Sequence, residues 1–321
     1  MDVTIKDGVA AEFAQVDEVI VSMLQSDVEM VESIGHYIVQ AGGKRMRPLL
    51  VLLSAKALGG IDLCHIRFAA VVEFIHTATL LHDDVVDLST LRRGKPTANA
   101  AFGNAPSVLV GDFIYTRAFQ LMVELKHMPL LAHMAETTNT IAAGEVMQLV
   151  HAGDPDTQAD QYHEIIRRKP AALFAAACHG AALLHNADQK IAEALHDYGM
   201  NLGIAFQLAD DLLDYAGDPS LTGKNIGDDL NEGKITLPLL HAMKVGDERD
   251  RRIVGEALRH KDGGAFAEVM SVVKRTGGLD ATRQAAIQHQ QQATHALDQL
   301  EHTAARETLR LMATQAVDRL N

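Results

Sequence analysis

The chain has 321 residues, enough for one large core, and its 47% hydrophobic and 22% charged residues exclude an intrinsically disordered chain. Twenty-nine Lys and Arg against 42 Asp and Glu leave a net charge of -13, which repels a nucleic-acid backbone and argues against that partner. The two cysteines, Cys64 and Cys178, stand far apart in no metal-ligand spacing, so both are expected to be small buried hydrophobes in a reducing cytoplasm.

Along the chain, residues 1–10 carry Asp2, Lys6 and Asp7 and no apolar run, so no secretory signal is expected. Apolar residues recur at three and four spacing in most long segments and seldom alternate at period two, which predicts an all-α fold. Residues 42–48, GGKRMRP, form a first break. Over 66–87 the apolar positions Ala69, Val72, Phe74, Ile75, Ala78, Leu80, Leu81 and Val85 cover most of a helical circumference, as in a helix buried in a bundle. Further breaks fall at 94–106 and 153–155. The aliphatic stretch 171–184 is shorter than the roughly 20 residues a bilayer span needs and contains His179 and Gly180, so a soluble, cytoplasmic protein without an integral membrane segment is expected. A second buried helix is predicted over 192–215. The polar stretch 216–236 that follows is long for a structureless connection, which marks it as functional. From Asp280 onward the Gln- and Ala-rich pattern suits a surface helical hairpin. No break divides the chain convincingly, so residues 1–321 are taken as a single domain.

Two five-residue clusters carry the chemistry: Asp83-Asp84-x-x-Asp87 and Asp210-Asp211-x-x-Asp214. Each closes an apolar helical segment, and residues three and four apart share a helix face, so each cluster gathers carboxylates at one spot. Like charges that close repel unless a hard cation bridges them, and Mg²⁺ is the cation that few carboxylates hold together with water and phosphate. A phosphate ligand calls for fixed cations, and loops supply them: Lys44, Arg45 and Arg47 between glycines and a proline, then Arg92, Arg93 and Lys95, with Lys169, Lys224 and Lys234 as single candidates. His76 lies two helical turns before Asp83, and Gln207 one turn before Asp210, each on its cluster's face.

These residues sit in GGKRMRP, FIHTATLLHDDVVD, LRRGKPTANAAFGN, VLVGDFIYTRAF, GEVMQL, FQLADDLLDY and GKNIGDDLNEGKITLPLLHAM, through which the chain resembles the trans-polyprenyl diphosphate synthases, the bacterial octaprenyl diphosphate synthases in particular. The resemblance implies a single bundle of mostly antiparallel helices around a deep central cavity, the isoprenoid synthase fold, in a homodimer, with the two aspartate clusters facing each other across the mouth. It implies a transferase that condenses isopentenyl diphosphate onto an allylic diphosphate such as farnesyl diphosphate, yielding an octaprenyl chain for a quinone, with Mg²⁺ as cofactor. By the same resemblance Asp83, Asp87 and Asp210 ligate Mg²⁺, with Asp84, Asp211 and Asp214 in the same catalytic clusters. Arg92, Lys169, Gln207, Lys224 and Lys234 then hold the allylic diphosphate, and Lys44, Arg47, His76 and Arg93 the isopentenyl diphosphate. One position departs: after Lys169 the family commonly has Thr, and here stands Pro170. Thr79 and Ala78 occupy the positions where short-chain relatives carry cavity-plugging aromatics, which predicts an open tunnel with its floor deeper, near Phe119 or Met122.

Two rival readings remain. Glu73-x-x-His76 and Glu193-x-x-His196 have the Glu-x-x-His spacing of carboxylate-bridged di-iron bundles. A non-catalytic subunit of a heteromeric prenyl synthase resembles the family too, but with degraded aspartate motifs, and both motifs here are complete.

Overall fold

The computed structural model describes residues 3–40, 42–92, 94–216 and 226–318. In chain order these form α1 (Val3–Asp7), α2 (Ala10–Met23), α3 (Glu29–Gln40), α4 (Met46–Ala57) and α5 (Leu63–Val86). A hairpin of β1 (Leu91–Arg92) and β2 (Lys95–Pro96) follows, then α6 (Ala98–Phe102), α7 (Asn104–Glu124), α8 (Met128–His151) and α9 (Ala159–Ile166). A π-helical turn (Arg167–Ala171) precedes α10 (Ala172–Leu184), α11 (Gln189–Ala216), α12 (Asp228–Glu232), α13 (Leu237–Val245) and α14 (Glu248–His260). The chain ends with α15 (Phe266–Thr276), α16 (Gly278–Ala296) and α17 (Ala304–Asp318). The all-α expectation therefore holds, with the antiparallel two-residue strands of the hairpin as an addition.

The chain forms two compact units: residues 1–138, 173–199 and 295–312 make the first, and 139–172, 200–294 and 313–321 the second. In the first, α5 starts at a capping box, where Asp62 accepts from the His65 backbone N–H and the His65 ring answers the Asp62 N–H. It packs most extensively against α7, with α2 and α4 alongside. Gly111 leaves room on α7 for the His82 ring, since a Cβ there would lie 2.4 Å from Nε2 of that residue, which precedes Asp83. Of the most apolar window of α5, 61% is buried, which identifies it as a core helix although it is long enough to cross a membrane.

The second unit is built around Tyr162, Leu208, Tyr215, Leu239, Val254 and Leu258, so the end of α11 lies in its core. Two expectations need correction. Cys178 is buried but Cys64 is half-exposed, because it sits in the first turn of α5, ahead of the helix's deeply buried stretch. The segment after Asp280 is more than a surface hairpin: Thr282, Ala286, Leu309 and Ala313 are fully buried, so α16 and α17 both contribute to the packed interior.

In the first unit, His133 of α8, His179 of α10 and His196 of α11 meet ring to ring, with centroids 4.5 and 5.8 Å apart and His179 Nδ1 3.4 Å from His133 Nε2. Burial and the neighbouring imidazoles push the His133 pKa down to about 4, and burial lowers that of His179 too. Both rings are therefore neutral when folded, while the unfolded chain takes up protons below about pH 6.5. The contribution of His133 to stability should be complete above that pH and fall as pH drops towards 4, by up to about 1.4 kcal/mol per pH unit, opposite in sign to that of any buried carboxylate whose pKa is raised. Urea unfolding at pH 7.5, 6 and 5 checks this, and His133→Leu should flatten the dependence.

Candidate functional site: two acidic helix ends

Both aspartate clusters lie at helix C-termini. Asp83 and Asp84 occupy the last turn of α5 and Asp87 is its C-cap residue, its N–H donating to the Asp83 carbonyl at 2.8 Å. Asp210, Asp211 and Asp214 lie in the last two turns of α11. A helix C-terminus carries a partial negative charge and favours cations, so three carboxylates there are electrostatically opposed by their own helix. A bound cation relieves that opposition.

Within each cluster the structure separates the aspartates. Asp83 and Asp87 are half-buried, as are Asp210 and Asp214, and each of these pairs falls four residues apart on one face. The second aspartate of each cluster is turned inward: Asp84 is 1% exposed and Asp211 2%. Arg92 grips Asp84, with Nε 2.9 and 3.2 Å from its two oxygens and Nη2 2.6 Å from Oδ1. The β1–β2 hairpin brings Arg92 back to α5. Asn99 Nδ2 ties it down by donating to the carbonyls of Asp84 and Ser89, both at 3.1 Å, while the Tyr37 hydroxyl donates to the Pro96 carbonyl at 2.7 Å. Arg92 thus serves Asp84, leaving only part of its guanidinium fork to face an anion.

Among the described residues, Asp211 is held by two neutral donors. Tyr162 of α9 donates its hydroxyl to Oδ2 at 2.5 Å, and Gln207 donates its amide to Oδ1 at 2.8 Å. Burial, followed by the nearby Asp229, pushes the Asp211 pKa up to about 7 against the hydrogen bonds from Tyr162 and Gln207. Burial raises that of Tyr162 as well, keeping its phenol a donor.

The cationic candidates are distributed. Lys44 is exposed before α4, and its neighbour Arg45 pairs with Asp17. Arg47 lies in the first turn of α4, its guanidinium 4.5 Å from the Phe174 ring centroid. His76 is half-buried on α5, two turns before Asp83. In the second unit, Lys169 stands in the π-helical turn paired with Glu145, and Lys234 follows α12 paired with Glu232. Arg93 and Lys224 lie outside the described residues. Pro170 sits inside the π-helical turn, where the regular i→i−4 ladder is already interrupted, so its missing N–H disrupts less than it would within an α-helix.

Tyr162, Asp229 and Phe174 were not singled out in the sequence. A lone tyrosine in an amphipathic helix and one phenylalanine in an aliphatic run carry no spacing signal, whereas Asp228-Asp229 was visible as an acidic pair inside the long loop. The Glu-x-x-His pairs do not build a di-iron centre. Glu193 is exposed and accepts from Gln189, the His196 ring packs near His179, and among the described residues no three His, Cys, Asp or Glu side chains converge to hold a metal.

An all-α scaffold ending two of its long helices in aspartate trios has the fold of the isoprenoid synthases. A sequence profile of the polyprenyl synthetase family matches residues 28–275. The chain is 48% identical over 316 residues to the octaprenyl diphosphate synthase of Escherichia coli K12, covering 98% of both chains. It is 47% identical to that of Haemophilus influenzae, over 95% of this chain and 93% of that one. Among solved structures, a polyprenyl synthase from Caulobacter crescentus CB15, complexed with calcium and isoprenyl diphosphate, matches with a TM-score of 0.94 and 43% identity over 98% of this chain and 96% of that one. The chain belongs to the polyprenyl synthetase family.

Tyr162→Phe removes one of the two side-chain donors to Asp211. The unfolding free energy in urea should fall by about 1–3 kcal/mol, the cost of under-satisfying a buried polar group. An unchanged midpoint would show that the hydroxyl contributes nothing to holding Asp211.

Proposed function

We propose that this chain is a Mg²⁺-dependent trans-prenyltransferase that adds isopentenyl diphosphate repeatedly to an allylic diphosphate, farnesyl diphosphate as primer, to give octaprenyl diphosphate for a quinone side chain. The observation that carries this reading is the repeated helix end, in which the first and third aspartates share a half-exposed face and the second is buried on protein donors. Such oxygen-only pairs suit Mg²⁺, which takes one or two carboxylates and completes its octahedron with waters and substrate phosphate. The Caulobacter relative was complexed with calcium, another hard cation that prefers oxygen.

In this reading Asp83, Asp87 and Asp210 hold the metal, with Asp214 beside them. Asp84 and Asp211 keep Arg92, Tyr162 and Gln207 in place around the clusters. Arg92, Lys169, Gln207, Lys224 and Lys234 contact the allylic diphosphate; Lys44, Arg47, His76 and Arg93 hold isopentenyl diphosphate. The bound cation supplies neutralisation of the charge that builds on the diphosphate as the allylic C–O bond breaks. Diphosphate leaves, the carbon left positive is attacked by the double bond of isopentenyl diphosphate, a C–C bond forms, and a proton passes to the departing diphosphate to restore the alkene. No side-chain nucleophile is needed. Apolar walls protect the cation from water, which would otherwise trap it.

The family profile runs through both compact units, which supports one catalytic domain over the whole chain. A cytoplasmic homodimer is part of the same reading. Complete aspartate motifs count against a non-catalytic subunit.

Incubating the purified chain with farnesyl diphosphate, isopentenyl diphosphate and Mg²⁺ should yield long-chain prenyl diphosphates, and EDTA should abolish them. Asp83→Ala and Asp210→Ala should each lower kcat by about 10²-fold or more. Absence of prenyl transfer with Mg²⁺ present refutes the assignment.

Ala78 is 1% exposed on α5, and Met122 on α7 is equally buried, whereas Phe119 lines an open groove with Met23, Arg117 and Val123. In the proposed reading, a ring at position 78 would take up room that the growing chain needs, besides pressing on its buried neighbours. Ala78→Phe should therefore shorten the product, as read by mass analysis, and an unchanged product length rules this out.

A further inference from the structure

The GEVMQL segment, residues 144–149 of α8, has no part in the chemistry described above. Its first residue, Gly144, lies against the π-helical turn: a Cβ there would be 2.8 Å from Cβ of Arg168 and 3.1 Å from the backbone nitrogen of Lys169. Only glycine allows α8 so close an approach without a shift of the turn. The next residue, Glu145, forms an ion pair with Nζ of Lys169. The two side chains are 29% and 18% exposed, so the pair is drier than an ordinary surface contact.

The turn presents three consecutive cations, Arg167, Arg168 and Lys169, and the structure sorts them. Glu164, one turn back, draws in both arginines, Arg168 Nε lying 2.6 Å from Oε1 and Arg167 Nη1 3.5 Å from Oε2. Glu145 on α8 takes the lysine. An arginine and a lysine differ in how they meet an anion, a rigid fork against a compact point charge on a flexible stem, so the sorting determines which of them is offered.

We infer that Gly144 and Glu145 form the seat of Lys169, with Glu145 a positioning residue that holds the ammonium where a diphosphate oxygen of the allylic substrate meets it. This rests on the reading above that Lys169 binds that diphosphate. An ammonium has three donors, so Lys169 keeps Glu145 while donating to the diphosphate. Glu145 restricts the four-carbon stem before substrate arrives, reducing the ordering cost of binding.

Steady-state kinetics of the full chain with farnesyl diphosphate, isopentenyl diphosphate and Mg²⁺ test the seat. Lys169→Met addresses the underlying reading: it should raise KM for farnesyl diphosphate, and an unchanged KM overturns both that reading and the seat. Glu145→Gln should raise the same KM about fivefold, with KM for isopentenyl diphosphate unchanged. In the Lys169→Met background, Glu145→Gln should add nothing, because its effect acts through the lysine. An equal effect in both backgrounds, or an unchanged or lower KM from Glu145→Gln when Lys169→Met raises it, overturns the seat alone. Should Glu145→Gln fail to fold, Glu145→Asp, which keeps the charge on a shorter stem, is read by the same criteria.

Discussion

Carboxylates placed at the wrong end of a helix are the constraint from which the rest of this molecule follows. The C-termini of α5 and α11 each carry three aspartates where the backbone already presents partial negative charge, and each has apolar residues packed around it. Nothing in helix stability favours that arrangement. It is maintained by surrounding structure: α7 and the hairpin at α5, and the core of the second unit at the end of α11. In the proposed reading, a divalent cation held there would convert this opposed charge into attraction for a diphosphate, which an acidic protein of net charge -13 would otherwise repel.

The two ends solve the burial of their second aspartate differently. Asp84 meets a guanidinium fork and forms a charge-compensated pair. Asp211 meets a phenol and an amide, two neutral donors, with Asp229 close enough to oppose its ionisation. In both, the inward carboxylate orients a donor scaffold beside a pair that is only half-buried. Repetition of DDxxD in the sequence thus conceals two distinct electrostatic settings.

Glycines set the distances at which these elements work. Gly111 admits the His82 ring, seating α7 against the turn that carries Asp83, and Gly144 admits the π-helical turn that carries Lys169. Both belong to segments whose family likeness could be read from the sequence but whose purpose could not. Neither glycine is adjacent in sequence to the residue it accommodates. Their function is to be small where two helices meet.

By itself the sequence determined the helical class, from the three-and-four spacing of apolar residues, and the two acidic clusters, from a five-residue pattern that fixes which side chains share a face. It also identified the family, because the motifs are long and contiguous. Tertiary structure alone decided that Asp84 belongs to Arg92, that Asp211 belongs to Tyr162, and that Cys64 is half-exposed while Cys178 is buried. The physical reason is range: helix periodicity acts over one turn, whereas Tyr162 reaches Asp211 and Arg47 reaches Phe174 only after the chain has folded back on itself. A lone aromatic acquires its role from what is packed beside it, and spacing along the chain carries no record of that neighbour.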